Sequence, residues 1–122
     1  MRNKIFSYVK KQYDTDPEYL WSSNPDYAVL RHRRNRKWYG IVMDVQKSKL
    51  GLPDEGRVWV INVKTTSAVI EDIPDSPGFL PGYHMNKKYW LSILLDGTVP
   101  EKVVQQFIDM SYELTRDKER SR

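Results

Sequence analysis

Two alternating segments joined by a very short connection constrain the fold of this chain more than any other feature. Side chains fall alternately on two faces over 27–32, with Ala28 and Leu30 on one face and Tyr27 and Val29 on the other, and again over 37–45, which predicts a β-strand in each segment. Residues 33–36 form the connection, and Asn35 within it tolerates the left-handed backbone that tight turns need. Because parallel strands require a crossover of about a dozen residues or more, these two strands must run antiparallel.

The other periodic segments complete an α+β domain. Apolar residues recur with helical spacing in three places, which predicts helices over 2–13, 65–73 and about 99–116. Alternation predicts two further strands, over 57–63 and 89–95, and a third is predicted over 79–85, where Pro81 suits an edge or a strand end. The order is therefore α-β-β-β-α-β-β-α. We predict a two-layer domain in which helices cover one face of a five-stranded antiparallel sheet, while the other face is partly exposed or served by loops.

Local patterns add two finer predictions. The second strand should have two distinct faces, with Tyr39, Ile41, Met43 and Val45 on one and Trp38, Gly40, Val42 and Asp44 on the other. At the start of the last helix, Thr98 and Glu101 have the spacing of a capping box, in which each side chain satisfies a backbone N–H of the first turn.

The length of 122 residues is that of one ordinary domain, which buries roughly two-thirds of its unfolded surface on folding. No internal repeat or long linker divides the chain. We expect a single domain over residues 1–122, monomeric, with 117–122 as a frayed charged tail.

Composition excludes several classes of protein. The chain has no cysteine, which excludes disulfides, thiolate metal sites and a cysteine nucleophile. No stretch approaches the ~18 apolar residues of a membrane span, and no signal peptide is recognisable. We expect a cytoplasmic protein.

The sequence offers little chemistry for catalysis or for a cofactor. His32 and His84 are the only histidines, and each adjoins aromatic or basic residues, where an imidazole usually has a structural role. No His-x-x-His spacing or phosphate-binding glycine loop is present, and the acids around Pro17 lack the glycine and final Glu of a calcium loop. We expect no metal, no cofactor and no enzyme; an activity would require a pocket around Tyr83 and His84.

Clustered positive charge is the feature that most favours a binding function. The net charge is +4, and the excess lies mainly in the first helix and in the first predicted hairpin. Two further basic groups lie in other loops. The candidate nucleic-acid contacts are Arg31, Arg33, Arg34, Arg36 and Lys37, with Lys47, Lys49, Lys87 and Lys88. Arginine and lysine bind phosphates, and such hairpins could straddle a nucleic-acid backbone with little sequence specificity.

Two other interpretations of the same residues stay open. Charged hairpin tips also protect exposed sheet edges against aggregation. Alternatively, the chain is a protein- or peptide-binding module that uses aromatic residues on the exposed sheet face, such as Trp38, Trp59 or Trp90.

A set of short motifs resembles the MmcQ/YjbR family over about residues 27–114. The motifs are Arg31-His32, Arg36-Lys37-Trp38-Tyr39-Gly40, Asn62-Val63-Lys64, the run from Pro81 to Trp90, and Leu95-Asp96-Gly97. Within them the structural signature residues are Trp38, Tyr39, Tyr83, His84, Asn86 and Trp90. The turn-rich segment 14–25 contains none of these motifs.

The resemblance implies a CyaY-like or secretion-chaperone-like α+β fold. It also implies DNA as a partner, bound through a double wing of hairpins. Frataxin-type relatives of this fold bind iron through acidic helical ridges, whereas the first helix here is basic, which argues against iron. We expect the aromatic residues around His84 to fix the second hairpin against the final helix.

Overall fold

A computed structural model describes residues 1–73 and 76–116 and confirms the α+β architecture. The expected tail at 117–122 lies outside the described residues. The described residues form three helices: α1 (Arg2–Tyr13), α2 (Ser67–Asp72) and α3 (Glu101–Thr115). They also form five strands: β1 (Ala28–Arg31), β2 (Trp38–Gln46), β3 (Arg57–Lys64), β4 (Phe79–Pro81) and β5 (Trp90–Leu94). A short 3-10 turn, Lys47–Leu50, follows β2.

All neighbouring strands are antiparallel, in the spatial order β1-β2-β3-β5-β4. This order brings the β1–β2 and β4–β5 connections to the same end of the sheet, which we call the hairpin end. The loop between β2 and β3 lies at the opposite end. Since β2 has nine residues, the two ends are roughly 27 Å apart.

A β-bulge overturns part of the predicted face assignment of β2. Leu30 pairs with Gly40, but the next residue, Arg31, pairs with Trp38. The extra residue, Tyr39, turns toward the helices, whereas Ile41 stays on the other face. The predictions that Tyr39 shares a face with Ile41, and Trp38 with Val42, are therefore wrong, because strict alternation cannot reveal an inserted residue.

Each face of the sheet has its own apolar cluster. Helices α1 and α3 cover one face, where Val9, Val104 and Ile108 pack on the strands. The other face, here called the helix-free face, is covered by loop side chains that include Trp21 and Leu52. The prediction that loops cover this face is confirmed. The assignment of Trp59 to the exposed face is wrong: it alternates with Val58 and Val60 and faces the helices, where the Arg2 guanidinium lies 4.5 Å from its ring centre.

The start of α3 differs from the predicted capping box. Pro100 occupies the N-cap, and no side chain caps the helix. The Thr98 backbone N–H instead donates to the Asp96 carboxylate over 3.0 Å. Hydrogen bonding to Thr98 lowers the pKa of Asp96. The capping pattern fails because Asp96 stabilises the preceding turn and the helix begins at Glu101.

Candidate nucleic-acid interface

The two connections at the hairpin end share one local construction. In the first, the side-chain oxygen of Asn35 accepts the backbone N–H of Lys37 over 2.9 Å. In the second, the side-chain oxygen of Asn86 accepts the N–H of Lys88 over 3.0 Å. Each asparagine thus forms an Asx-turn that presents a lysine two residues later. The left-handed residue of the first turn is Arg36, with φ 64°, rather than the expected Asn35.

Only one strand separates the two hairpins. The midpoints of the two hairpins, between β1 and β2 and between β5 and β4, lie three strand spacings apart in the sheet, about 14 Å at the usual ~4.8 Å spacing. The strand between them, β3, ends at the hairpin end with Lys64, which pairs with Trp90. Lys64 alternates with Val58, Val60 and Asn62, so it belongs to the helix-free face.

Lys64 was missed as a binding candidate, although its position in the alternation of β3 was a usable signal. With Lys37, Lys87 and Lys88 it forms a group of four lysines at the hairpin end, here called the lysine row. Within residues 1–73 and 76–116, none of the four makes an ion pair with a carboxylate within 4.0 Å. Lys88 lies 5.5 Å from the centre of the Tyr89 ring.

Three of the five candidate cations of the first hairpin are instead held by acids of the segment after α1. The Glu18 carboxylate forms ion pairs with Arg31 at 3.1 Å and with Arg36 at 3.3 Å. Arg33 pairs with Asp14. Glu18 is fixed in place because its backbone exchanges two hydrogen bonds with Val29 along the free edge of β1.

A further ion pair supports the two acids Asp14 and Glu18, here called the acidic clamp. Asp14 also pairs with Lys10 over 3.0 Å. Its hydrogen bond to Lys10, followed by the charges of Lys10 and Arg33, lowers the pKa of the Asp14 carboxyl. The clamp therefore cancels part of the positive charge that the sequence places in this hairpin.

The remaining candidates divide between the two ends of the sheet. Arg34 is exposed in the first turn, at the same end as Lys87, the member of the lysine row that lies at the β4 edge beside Ile70 and Pro81. Lys47 and Lys49 follow β2 at the opposite end. They are too far away to share a surface with the lysine row.

A pocket opens on the helix-free face next to the lysine row. Its volume is about 240 Å³. Trp21 contacts both Trp38 and Tyr27 edge to face, with ring centres 5.8 and 6.2 Å apart. The residues that line this aromatic pocket are Trp21, Asn24, Tyr27, Trp38, Ile41, Met43, Asn62, Tyr83, His84 and Met85.

A buried polar network ties the floor of the aromatic pocket to the second hairpin. The Ser92 hydroxyl donates to the Asn62 side-chain oxygen over 2.5 Å and accepts the Tyr83 N–H over 2.9 Å. The Asn62 amide nitrogen donates to the Tyr83 carbonyl over 2.8 Å. Both ends of the Asn62 amide are therefore engaged, and the pocket floor is held rigidly.

The two histidines have different environments. His32 is buried, with Nε2 2.8 Å from the Thr115 hydroxyl and its ring against Tyr39 and Tyr112. Burial lowers the pKa of His32. His84 is exposed, has φ 59°, and lies 4.0 Å from the Tyr83 ring at the pocket.

The expected packing of the second hairpin against α3 is wrong. Tyr83, Met85 and Trp90 pack on the helix-free face, on the other side of the sheet from α3. Tyr89 is 37% exposed. The error arises because local alternation does not reveal which face of a sheet a helix covers.

Neither a metal site nor a membrane-spanning helix is found among the described residues. Within 1–73 and 76–116, no three His, Asp or Glu side chains lie close enough together to hold a metal ion. Over the same ranges, no helix combines the length and apolar character needed to cross a membrane.

Comparisons with known proteins agree with the architecture. The sequence model of the YjbR family matches residues 10–114. The chain is 42% identical to an uncharacterised protein, YyaQ, of Bacillus subtilis (strain 168), over 94% of this chain and 98% of that protein.

Solved structures show the same fold. A crystal structure of a Pseudomonas syringae protein superposes with a TM-score of 0.92 at 40% identity, over 95% of this chain and 99% of that one. A Deinococcus radiodurans protein has the same fold at 20% identity, with a TM-score of 0.74 over 98% of this chain and 80% of that one. The family match and the extent of these similarities lead to one conclusion: the chain belongs to the YjbR family, as the resemblance of its motifs predicted.

Proposed function

We propose that this protein binds nucleic acid by placing the phosphate backbone along the lysine row at the hairpin end of the sheet. The observation that carries this function is the convergence of Lys37, Lys64 and Lys88 from three separate parts of the fold. None of them is paired with an acid of the described chain, so each charge is available to a polyanion. We propose that the protein binds nucleic acid in the cytoplasm.

The lysines and the arginines have unequal parts in this function. An arginine paired with Glu18 or Asp14 already has part of its charge neutralised, so it attracts a phosphate less strongly than an unpaired cation does. The lysine row carries no such neutralisation within the described residues. We therefore rank Lys37, Lys64 and Lys88 above Arg31, Arg33 and Arg36 as contacts.

Salt dependence tests this function quantitatively. Four phosphate contacts predict that log affinity falls with log salt with a slope of about −3 to −4. Fluorescence anisotropy with a labelled oligonucleotide, measured at several salt concentrations, gives this slope directly. Undetectable binding at low salt would overturn the proposed function.

A pair of double variants separates local contacts from net charge. Lys37→Gln with Lys88→Gln should weaken binding at least tenfold at low salt and reduce the slope by about two. Lys47→Gln with Lys49→Gln makes the same change in net charge at the opposite end of the sheet, and should have a much smaller effect. Equal losses in the two double variants would contradict a site at the hairpin end.

A peptide-binding module is the second candidate, and the aromatic pocket is the observation that favours it. Tyr19 and Leu20 are exposed immediately before Trp21, which extends the apolar surface near the pocket along the chain. Titration with peptides rich in aromatic residues, followed by tryptophan fluorescence, tests this candidate.

Both candidates are binding functions rather than enzymatic ones. Within the described ranges no carboxylate is hydrogen-bonded to His84, so the pocket lacks the oriented histidine base of a catalytic triad.

A further inference from the structure

We infer that the aromatic pocket receives one unstacked base of a single-stranded nucleic acid whose phosphates lie along the lysine row. The inference rests on the proposed function and makes it more specific. It names the form of the nucleic acid, which neither the family match nor the names of the relatives provide.

The size of the aromatic pocket restricts its occupant. Its volume of about 240 Å³ is below the ~300–1,000 Å³ of pockets that enclose drug-sized ligands. A single planar ring system fits this space. A nucleobase in a duplex is stacked on both sides, so only an unpaired base, or one turned out of its helix, can enter.

The walls offer faces on which a base can stack. Trp21 and Trp38 meet at an interplanar angle of 86°, so the two indoles do not stack on each other. Both side chains line the pocket, so parts of both indoles border the cavity. Stacking of a base on an aromatic side chain contributes roughly a 5- to 150-fold gain in affinity.

The polar groups indicate weak discrimination between bases. The Asn62 amide on the floor is already bonded to Ser92 and Tyr83, so it is engaged before any ligand arrives. Asn24 and His84 are exposed at the pocket and provide the accessible polar groups. Recognition would therefore depend on stacking more than on hydrogen bonds to base edges.

Charge favours a nucleotide over an apolar peptide side chain. The residues that line the pocket include no Asp or Glu. Lys64 lies on the same face, two residues beyond Asn62, and the lysines of the two hairpins lie on either side of β3. An aromatic group attached to a phosphate chain satisfies both the pocket and the lysine row.

Matched oligonucleotides test the inference without any change to the protein. A thymidine oligonucleotide of about twelve residues, an abasic oligomer with the same number of phosphates, and a duplex of that length are compared by anisotropy at low salt. We expect the thymidine strand to bind at least fivefold more tightly than the abasic strand and the duplex, and to quench tryptophan fluorescence. Equal affinity for thymidine and abasic strands would overturn the inference.

Protein variants provide the second arm. Trp21→Ala should reduce affinity for the thymidine strand by roughly 5- to 150-fold and leave affinity for the abasic strand unchanged, while Trp21→Phe should restore most of the loss. Trp59→Phe, on the helix side of the sheet, is the control and should change neither. Thermal unfolding of each variant verifies that it is folded.

The outcomes separate the two levels of the proposal. Binding of no nucleic acid at low salt overturns the proposed function together with the inference. Binding of duplex and abasic strands as tight as that of thymidine overturns only the inference. Quenching by an aromatic peptide that exceeds quenching by the thymidine strand at equal concentration also overturns it, in favour of a peptide site.

Discussion

The Asn62 side chain donates to the Tyr83 carbonyl over 2.8 Å and thereby ties the middle of β3 to the second hairpin. Asn62 is only 1% exposed. The contact spans the short strand β5, whose Ser92 bonds to both residues. Sheet and hairpin are thus one rigid unit, and the pocket between them is preformed.

Loss of this network should be costly. Asn62→Ala leaves the Tyr83 carbonyl and the Ser92 hydroxyl without their buried partner, so we expect a loss of about 2–3 kcal/mol in the free energy of unfolding. Urea denaturation measures the change. Asn3→Ala, on the exposed surface of α1, should alter stability by no more than ~0.5 kcal/mol. Similar values for the two variants would show that the network contributes little.

Release of the acidic clamp should favour nucleic-acid binding. Glu18→Gln removes the acid that pairs with Arg31 and Arg36, so both guanidinium groups become available to phosphate. We expect affinity at low salt to rise roughly two- to fivefold and the salt slope to become steeper.

Glu55→Gln is the matched control, because it removes one acid from the loop at the opposite end of the sheet. Anisotropy titrations of the two variants should therefore diverge. A gain in Glu55→Gln as large as that in Glu18→Gln would indicate an effect of net charge alone.

Stability should fall in mild acid because His32 is buried. Burial lowers the pKa of His32 in the folded protein below its ordinary value of 6.5. As pH falls below about 6.5, the unfolded chain takes up a proton that the folded chain resists, and stability is lost until the folded pKa is passed. Thermal unfolding between pH 7.5 and 5 measures this loss.

The same substitution at each histidine isolates the effect. His32→Gln should flatten the pH dependence in this range, whereas His84→Gln, at an exposed position, should leave it unchanged. An unaltered pH profile in His32→Gln would refute the assignment.

Alkaline pH should destabilise the contact between α1 and α3. The Tyr8 and Tyr13 hydroxyls both donate to the Asp109 carboxylate, over 2.7 and 2.5 Å. Burial, and then the hydrogen bond to Asp109, raises the pKa of Tyr8 from 10.0 to about 12. Between these values the unfolded chain ionises first, so stability present below pH 10 is lost as pH rises.

Tyr8→Phe should reduce the slope of stability against pH above 10, and should cost about 1 kcal/mol at neutral pH through the lost hydrogen bond. Tyr19→Phe is the control, since its ring is exposed. Chemical denaturation at stepped pH distinguishes the two. The assignment fails if both variants keep the slope of the parent protein.

Sequence periodicity predicted the order of elements because each segment carries its own repeat. The short link before Trp38 required an antiparallel pair, and alternation in β3 located the residues of two faces. The signature residues pointed to the family. None of these inferences needed knowledge of contacts between distant parts of the chain.

The candidate site depended on such contacts. Insertion of β5 between β3 and β4 placed Lys64 between the two hairpins, and a bulge turned Tyr39 away from Ile41. Packing of the segment after α1 along β1 gave Arg31 its partner, Glu18. Basic residues visible as one cluster in the sequence were thereby divided into paired arginines and available lysines.

The sequence by itself therefore determined the helices, the strands, their antiparallel pairing and the family, because local periodicity and turn length encode them. Only the tertiary structure decided which charges are neutralised and where an aromatic pocket forms. The physical reason is that Coulombic pairing and cavity shape depend on distances between residues remote along the chain, such as the 2.8 Å between the Asn62 amide and the Tyr83 carbonyl.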